Sequence, residues 1–157
     1  MSPEFSEKTI KKIREIVACY PRKEAAILPV LHLTQKEFGC ISEEEEKRVA
    51  EILELKPIQV REVVTFYTMF NQKPIGKYHI QVCSNLSCSL MGAEGLIDYL
   101  KEKLGIGLGE TTPDKKFTLS SVGCLGACEM APSLMINFDY HGNLDKEKID
   151  KILSGLK

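Results

Sequence analysis

The segment Tyr78-His-Ile-Gln-Val-Cys83-Ser-Asn-Leu-Ser-Cys88 carries the strongest structural signal in this 157-residue chain. Its first half alternates apolar and polar side chains, which predicts a β-strand that ends at Cys83. A second cysteine pair, Cys124-Leu-Gly-Ala-Cys128, follows another predicted strand, residues 117–122. We expect these strands to be parallel and joined by a right-handed helical crossover. Because parallel strands end at the same edge of a sheet, both cysteine pairs are predicted to face one point.

The rest of the C-terminal half extends this pattern to the order β-α-β followed by β-β-α. Apolar residues at helical spacing predict the crossover helix over 91–104, and residues 134–138 predict a third strand. The turn residues Tyr140-His-Gly-Asn143 predict a hairpin into a short fourth strand, and a closing helix follows Asp145. This order is the layout of a thioredoxin-like α/β sandwich.

The first seventy or so residues predict a small bundle of helices. Apolar residues recur at helical spacing over 10–20 and 25–38. Ser42 is a predicted N-cap for a third helix, and we interpret the acidic run Glu43 to Glu46 as helix capping on a solvated face. Pro57 fits the first position of a fourth helix.

A break at Gln72-Lys-Pro-Ile-Gly76 separates the helical pattern of the N-terminal half from the α/β pattern of the C-terminal half. The sequence therefore predicts an α+β protein with two domains. The first is a helical bundle of residues 1–73, and the second is a thioredoxin-like domain of residues 74–157.

The composition argues against a nucleic-acid-binding protein, a membrane protein and a secreted protein. Hydrophobic residues make up 43% of the chain and charged residues 27%, as in ordinary globular proteins. The 21 Lys and Arg against 22 Asp and Glu give a net charge of −1, without the basic excess of nucleic-acid binders. No apolar run approaches the about 20 residues of a membrane span. The start, Met1-Ser-Pro-Glu4, lacks the features of a secretory signal, so we expect a cytosolic protein.

Four cysteine thiols that converge could form disulfides, carry out thiol exchange, or bind a metal ion or an iron–sulfur cluster. Disulfides are rare in the cytosol, and thiol-exchange enzymes use Cys-x-x-Cys, whereas these pairs have the spacings Cys-x4-Cys and Cys-x3-Cys. A structural zinc ion and a [2Fe–2S] cluster both accept four cysteine ligands. The spacing alone leaves zinc and iron–sulfur open.

The residues around the pairs favour the iron–sulfur cluster. Gly123 and Gly126 allow a loop to wrap an anionic centre closely, with backbone N–H groups aimed at its sulfurs. Cys88 precedes the predicted helix over 91–104, whose N-terminus favours negative charge. Four apolar residues are predicted to shield the site from solvent: Leu86, Leu90, Leu125 and Met130. An all-cysteine zinc adaptor without redox activity is the alternative from another functional class.

Several longer motifs resemble a known family over nearly the whole chain. They are Val63-Val-Thr-Phe-Tyr-Thr-Met-Phe70, Pro74-Ile-Gly-Lys-Tyr-His-Ile-Gln-Val-Cys83 and Cys124-Leu-Gly-Ala-Cys-Glu-Met-Ala-Pro132, supported by Gly109-Glu-Thr-Thr112. With them the sequence resembles the E subunit family of NADH:quinone oxidoreductase, respiratory complex I. The resemblance implies a helical bundle followed by a thioredoxin-like [2Fe–2S] ferredoxin domain.

The resemblance also implies a function. The family's cluster ligands fall on Cys83, Cys88, Cys124 and Cys128. The implied partner is the flavin-bearing F subunit, which binds NADH and FMN and carries its own iron–sulfur cluster. The chain would then be an electron-transfer subunit of a cytoplasmic assembly peripheral to the inner membrane. The same family supplies subunits of NAD-linked hydrogenases and formate dehydrogenases, and the motifs leave these alternatives open.

Three further features have predicted roles. Cys19 and Cys40 are interpreted as small buried side chains. The aromatic residues over 66–70 are interpreted mainly as core, with docking onto a partner as the alternative. Ala131-Pro132 lies where thioredoxin-like folds often have a cis proline, and the sequence leaves the isomer open.

Overall fold

The computed structural model describes residues 4–156, which divide into two compact units between Pro74 and Ile75. Residues 1–3, most of the segment from which we inferred that there is no secretory signal, lie outside the described part. The longest helices of the described chain have 12 residues, and none of its helices is long and apolar enough to cross a bilayer.

The first unit is helical, as the sequence predicted. Its described elements are α1 (Glu7–Ala18), a 3₁₀ helix (Lys23–Ala26), α2 (Ile27–Phe38), α3 (Glu43–Leu53) and α4 (Pro57–Phe66). Their apolar faces meet in one core, whose largest fully buried side chains include Ile13, Leu31, Ile41, Leu53 and Val60. Burial of such a face, rather than helix propensity, supplies most of the stability of helices this short.

Local signals set the helix ends. Ser42 and Glu45 form the predicted capping box at the start of α3, in which the Ser42 N–H donates to Glu45 Oε2 at 3.0 Å. Pro57 is the first residue of α4, where a missing N–H costs nothing. Gly39 ends α2 with a φ of 83°, a left-handed conformation that glycine adopts without strain. These three ends could be predicted because each depends on neighbouring residues only.

The acidic run at the start of α3 is only partly on a solvated face, which corrects the sequence interpretation. Glu43 and Glu44 are exposed, but Glu45 is 7% and Glu46 4% exposed. Packing of α4 against α3 brings Arg61 to this run, with its Nη1 3.2 Å from an oxygen of both Glu43 and Glu46. Burial raises the pKa of Glu46 above its usual value, although the Arg61 guanidinium opposes the shift.

The second unit is a mixed α/β domain. Its strands are β1 (Tyr78–Cys83), β2 (Glu110–Thr111), β3 (Phe117–Val122), β4 (Leu134–Ile136) and β5 (Asp139–His141), in the sheet order β2-β3-β1-β4-β5. Its α-helices are α5 (Leu86–Leu90), α6 (Ala93–Leu104) and α7 (Lys146–Gly155). Apolar residues of α6 and α7 share one core with Ile80, Val82 and Leu119 of the sheet.

The pairing of β1 with β3 confirms the predicted parallel neighbours. The register runs from Tyr78 opposite Phe117 to Cys83 opposite Val122, so both strands end at the same edge of the sheet. β4 and β2 add to this pair in the antiparallel sense. The segment after β1 therefore begins beside the segment after β3.

Several boundaries of the second unit differ from the prediction. The crossover helix begins at Ala93, and the five-residue helix α5 precedes it, where the sequence predicted one helix from residue 91. The two-residue strand β2 was missed. The hairpin turn lies at Asn137 and Phe138 rather than at 140–143. Asn137 adopts a φ of 56° and its side chain accepts a hydrogen bond from the His79 N–H at 2.9 Å, which holds the turn against β1.

Three interpretations of single features are also resolved. Cys19 is exposed and Cys40 half-buried, so the interpretation of both as buried was wrong. Phe70 is buried, but Phe66 is 76% exposed, so only part of the aromatic run is core. The Ala131–Pro132 peptide bond is cis.

We predict opposite effects for two glycine-to-alanine substitutions in the second unit. A Cβ at Gly76 would lie 2.9 Å from backbone atoms of Lys116 and Phe117, and a strand backbone cannot move aside cheaply. Gly76→Ala should therefore lower the free energy of unfolding by about 1 to 3 kcal/mol. At Gly95, which is exposed on α6 with no atom within 4 Å of a built Cβ, the same change should raise it by about 0.5 to 1 kcal/mol. Urea unfolding measures both values, and a destabilised G95A or an unchanged G76A would contradict the packing described.

A second prediction concerns the pH dependence of stability. Because the pKa of Glu46 is raised in the folded state, the folded protein takes up this proton more readily than the unfolded chain. The free energy of unfolding of Glu46→Gln minus that of the wild type should therefore be largest at neutral pH. It should shrink as the pH falls through the raised pKa toward the ordinary value of a glutamate. Urea unfolding of both proteins across this range checks it, and a difference that grows on acidification would refute the burial of a charged Glu46.

Candidate metal centre

The four cysteines singled out by their spacing lie at the end of β1 and just beyond β3. Cys83 is the last residue of β1 and is 3% exposed, and Cys88 lies in α5 and is 2% exposed. Cys124 is exposed in the loop after β3, and Cys128 is exposed at the start of a 3₁₀ helix, Cys128–Met130. Since β1 and β3 are parallel neighbours, the two pairs follow adjacent strands at the same sheet edge.

The thiol of Cys83 is the point at which the two cysteine segments meet. Burial alone would raise the pKa of Cys83, but the backbone N–H groups of Asn85 and Leu125 and the thiols of Cys88 and Cys124 outweigh burial and lower it. These partners come from both segments. The structure thus brings three of the four cysteines together, while the side chain of Cys128 faces solvent on the following turn.

Asn85 ties the two cysteine segments to each other, a role that sequence analysis missed. Its side-chain oxygen accepts from the Leu86 N–H at 2.8 Å and caps α5, while its Nδ2 donates to the Gly123 carbonyl at 2.9 Å. Next to it, the Ser84 N–H donates to the Val122 carbonyl at 3.0 Å. An asparagine directly after a strand is a recognisable cap signal, but its second partner lies 38 residues away in sequence.

The loop after β3 directs a backbone N–H group at the sulfur of Cys124. Gly126 has a φ of 70°, and its N–H donates to Cys124 Sγ at 3.3 Å. The left-handed conformation suits glycine and turns this N–H toward the sulfur. Of the two glycines expected to direct backbone N–H groups at sulfur, Gly126 donates to a cysteine sulfur of its own loop. Backbone donors of this kind stabilise thiolate ligands.

A third segment, which includes the cis proline and leads into β4, also contacts the cysteines. The Ser133 carbonyl accepts from the Cys83 N–H at 3.1 Å, and Ser133 Oγ lies 3.5 Å from Cys88 Sγ. Ser133 is only 1% exposed. Sequence analysis missed this residue too, because no local pattern marks a serine that reaches a cysteine 45 positions away.

The apolar shell around the cysteines is smaller than predicted. Cys83 and Cys88 share a buried cluster with Ala93 and Ala131, and Leu125 packs against it. Leu86 and Leu90 do not shield the site, because they are 69% and 78% exposed on the outer side of the short helix. Cys88 still precedes the crossover helix, which begins at Ala93, but it lies within the five-residue helix α5.

The donor set fits a [2Fe–2S] cluster. Its four candidate ligands are all thiols, supplied as two pairs, and such a cluster takes two thiolates at each iron. Three backbone N–H groups, of Asn85, Leu125 and Gly126, interact with the sulfurs of Cys83 and Cys124. Among residues 4–156, no group of three or more His, Cys, Asp or Glu side chains is arranged to hold a single metal ion. A [2Fe–2S] cluster would take one cysteine pair at each iron, and the two segments supply two pairs.

Comparison with known proteins identifies curated relatives along nearly the whole chain. An E subunit of NADH-quinone oxidoreductase from Rhizobium meliloti is 47% identical over 147 residues, which cover 94% of this chain and 88% of the relative. The E subunit of NADH-quinone oxidoreductase from Rickettsia conorii is 44% identical over 156 residues, which cover 98% of this chain and 93% of the relative.

A solved structure shares the fold. The crystal structure of an NAD⁺-reducing [NiFe]-hydrogenase in the air-oxidised state matches with a TM-score of 0.71 over 83% of this chain, at 22% sequence identity. The match spans 22% of the hydrogenase chain. At this identity the likeness concerns the fold alone.

A family model confirms the resemblance expected from the motifs. The model described as thioredoxin-like [2Fe-2S] ferredoxin matches residues 13–157, which include most of the first unit, the whole second unit and all four cysteines of the candidate centre. A [2Fe–2S] cluster is the cofactor that this family implies, in agreement with the donor set. The chain therefore belongs to the thioredoxin-like [2Fe–2S] ferredoxin family, which confirms the fold predicted from its sequence.

Proposed function

We propose that this chain is the E subunit of an NADH-quinone oxidoreductase and acts there as a one-electron carrier. The observation that carries the proposal is its 47% identity, over 94% of its length, to a relative named as that subunit. The chain is part of an enzyme in this assignment, and by itself it is an electron carrier. The hydrogenase alternative has support from the shared fold only.

We further propose that Cys83, Cys88, Cys124 and Cys128 are the cluster ligands. One pair begins with the last residue of β1 and the other lies just beyond its parallel neighbour β3, and three of the thiols lie together. The contact between the sulfurs of Cys83 and Cys124 is the strongest support for this ligand set, because it joins residues 41 positions apart.

We assign these ligands to the second of two domains, residues 74–157, with residues 1–73 as a helical domain.

When bound, the cluster supplies a site that accepts one electron at a time, whereas hydride transfer from NADH delivers two electrons together. The chain's own residues prepare the site for negative charge. The N–H groups of Asn85, Leu125 and Gly126 offset the charge of the thiolates. Burial of Cys83 and Cys88 anchors one pair in the domain, while the exposed Cys124 and Cys128 keep the other pair at the surface.

The proposed partner is the flavin-bearing F subunit, which would hold the FMN, the NADH site and a further iron–sulfur cluster. Electron transfer to it requires the cysteine edge of this chain to be accessible, and Cys124 and Cys128 are exposed there. Leu86, Leu90 and Met91 add exposed apolar side chains on and beside the helix that carries Cys88. Exposed apolar clusters of this kind are typical of docking surfaces. The assembly would be cytoplasmic and peripheral to the inner membrane.

The ligand assignment predicts the effect of serine substitutions. Cys124→Ser and Cys128→Ser should each lower the affinity for the cluster by at least about tenfold, because oxygen matches iron less well than thiolate does. The matched control is Cys19→Ser, which changes an exposed cysteine of the helical unit. Iron content and visible absorption of anaerobically purified protein report the result. A variant that keeps the wild-type spectrum and iron content would remove that cysteine from the ligand set.

The functional assignment predicts reduction of this cluster within the assembled complex. NADH in excess should produce its paramagnetic signal in freeze-quenched samples of the complex, since electrons leave the flavin site one at a time. The complex that contains Cys124→Ser should lack this one signal and keep those of the partner's clusters. A cluster that dithionite reduces, but that stays oxidised throughout turnover with NADH, would contradict an electron-carrying role.

A further inference from the structure

Ser133 contacts two of the proposed ligands without being one of them. Its backbone carbonyl accepts from the Cys83 N–H at 3.1 Å, and its Oγ lies 3.5 Å from Cys88 Sγ. Both contacts lie within hydrogen-bonding distance, given the larger radius of sulfur. Ser133 therefore contacts both the backbone at the end of β1 and the cysteine sulfur that α5 carries.

The direction of the second hydrogen bond follows from the chemistry of the ligand. Between a thiol and a hydroxyl, either group can be the donor. A cysteine that binds iron is a thiolate and has no proton to give, so in the loaded site only the Ser133 hydroxyl can donate. Within residues 4–156, Cys88 Sγ is the one hydrogen-bond partner of Ser133 Oγ. No other acceptor in this part of the chain competes for that proton.

Burial makes this contact effective. Ser133 is 1% and Cys88 2% exposed, so water does not replace the hydroxyl at this sulfur. A hydrogen bond is electrostatically stronger in such an environment than in water. Cys88 differs in this respect from Cys124 and Cys128, which are exposed and can be solvated directly.

We propose that Ser133 is a positioning residue that raises the midpoint potential of the cluster by donating a hydrogen bond to Cys88 Sγ. The proposal rests on the function and ligand set proposed above. Reduction adds one electron to the cluster, no covalent bond forms or breaks, and the hydroxyl proton stays on Ser133. The added charge increases the electron density on the ligand sulfurs, so the hydrogen bond stabilises the reduced state more than the oxidised state.

The test is the midpoint potential of the cluster in the full-length chain, measured by mediated titration with visible and paramagnetic detection. In Ser133→Ala the ratio of reduced to oxidised cluster at the wild-type midpoint should fall about threefold to tenfold, a shift of about 30 to 60 mV to more negative potential. The matched control is Ser89→Ala, which removes the hydroxyl of the residue next to Cys88. The Ser89 hydroxyl donates to Glu94 Oε1 at 3.4 Å instead of to sulfur, so this variant should keep the wild-type potential.

A second measurement identifies the donated proton itself. Transfer of the reduced wild-type protein into D₂O should reveal exchangeable deuterons coupled to the cluster, and Ser133→Ala should lose one of these couplings while Ser89→Ala keeps all of them. If Ser133→Ala does not bind the cluster, Ser133→Gly replaces it, because it also removes the hydroxyl and adds no group that could bind iron. Its potential should then be lower than that of the wild type.

The outcomes separate the two proposals. A wild-type chain that binds no iron–sulfur cluster overturns the proposed function. A loaded Ser133→Ala or Ser133→Gly with the wild-type potential overturns only the role of Ser133. A shift of equal size in Ser89→Ala also overturns it, because the effect would then come from general disturbance of α5.

Discussion

The parallel pairing of β1 with β3 is the constraint on which the candidate centre depends. With Cys83 opposite Val122, the chain leaves both strands at the same level and on the same edge of the sheet. Two segments about forty residues apart in sequence then begin as neighbours, and the Asn85 side chain joins them. A shift of this register by one residue would turn Cys83 to the other face of the sheet. The register therefore brings the two cysteine pairs to one edge of the sheet, which no local conformation could do.

Around this meeting point the domain supplies hydrogen-bond donors in place of water. Backbone N–H groups reach the sulfurs from both segments, and Ser133 reaches Cys88 from the segment before β4. Donors held by the fold cost little to organise when negative charge arrives, because their orientation is already set. The same arrangement leaves Cys124 and Cys128 at the surface, where the proposed cluster would exchange electrons with a partner.

Sequence alone could predict the features that depend on neighbouring residues or on strong periodicity. The alternation that ends at Cys83 and the capping pattern at Ser42 both gave correct elements, and together with the cysteine spacing the motifs indicated the correct family.

The missed features depend on contacts between distant residues or on elements too short to have a period. β2 has two residues and α5 has five, fewer than a pattern needs. Glu46 is buried because Arg61 of another helix pairs with it. The contact of Ser133 with Cys88 likewise exists only in three dimensions.

X-ray absorption at the iron and zinc edges of anaerobically purified wild-type protein distinguishes an iron–sulfur cluster from a zinc ion, because it reports the metal and its ligands together. We expect two irons per chain, each surrounded by sulfur alone, with a second iron as a near neighbour. Zinc in a tetrahedral sulfur site, or a single iron without an iron neighbour, would contradict the claim that the two cysteine segments close around one [2Fe–2S] cluster.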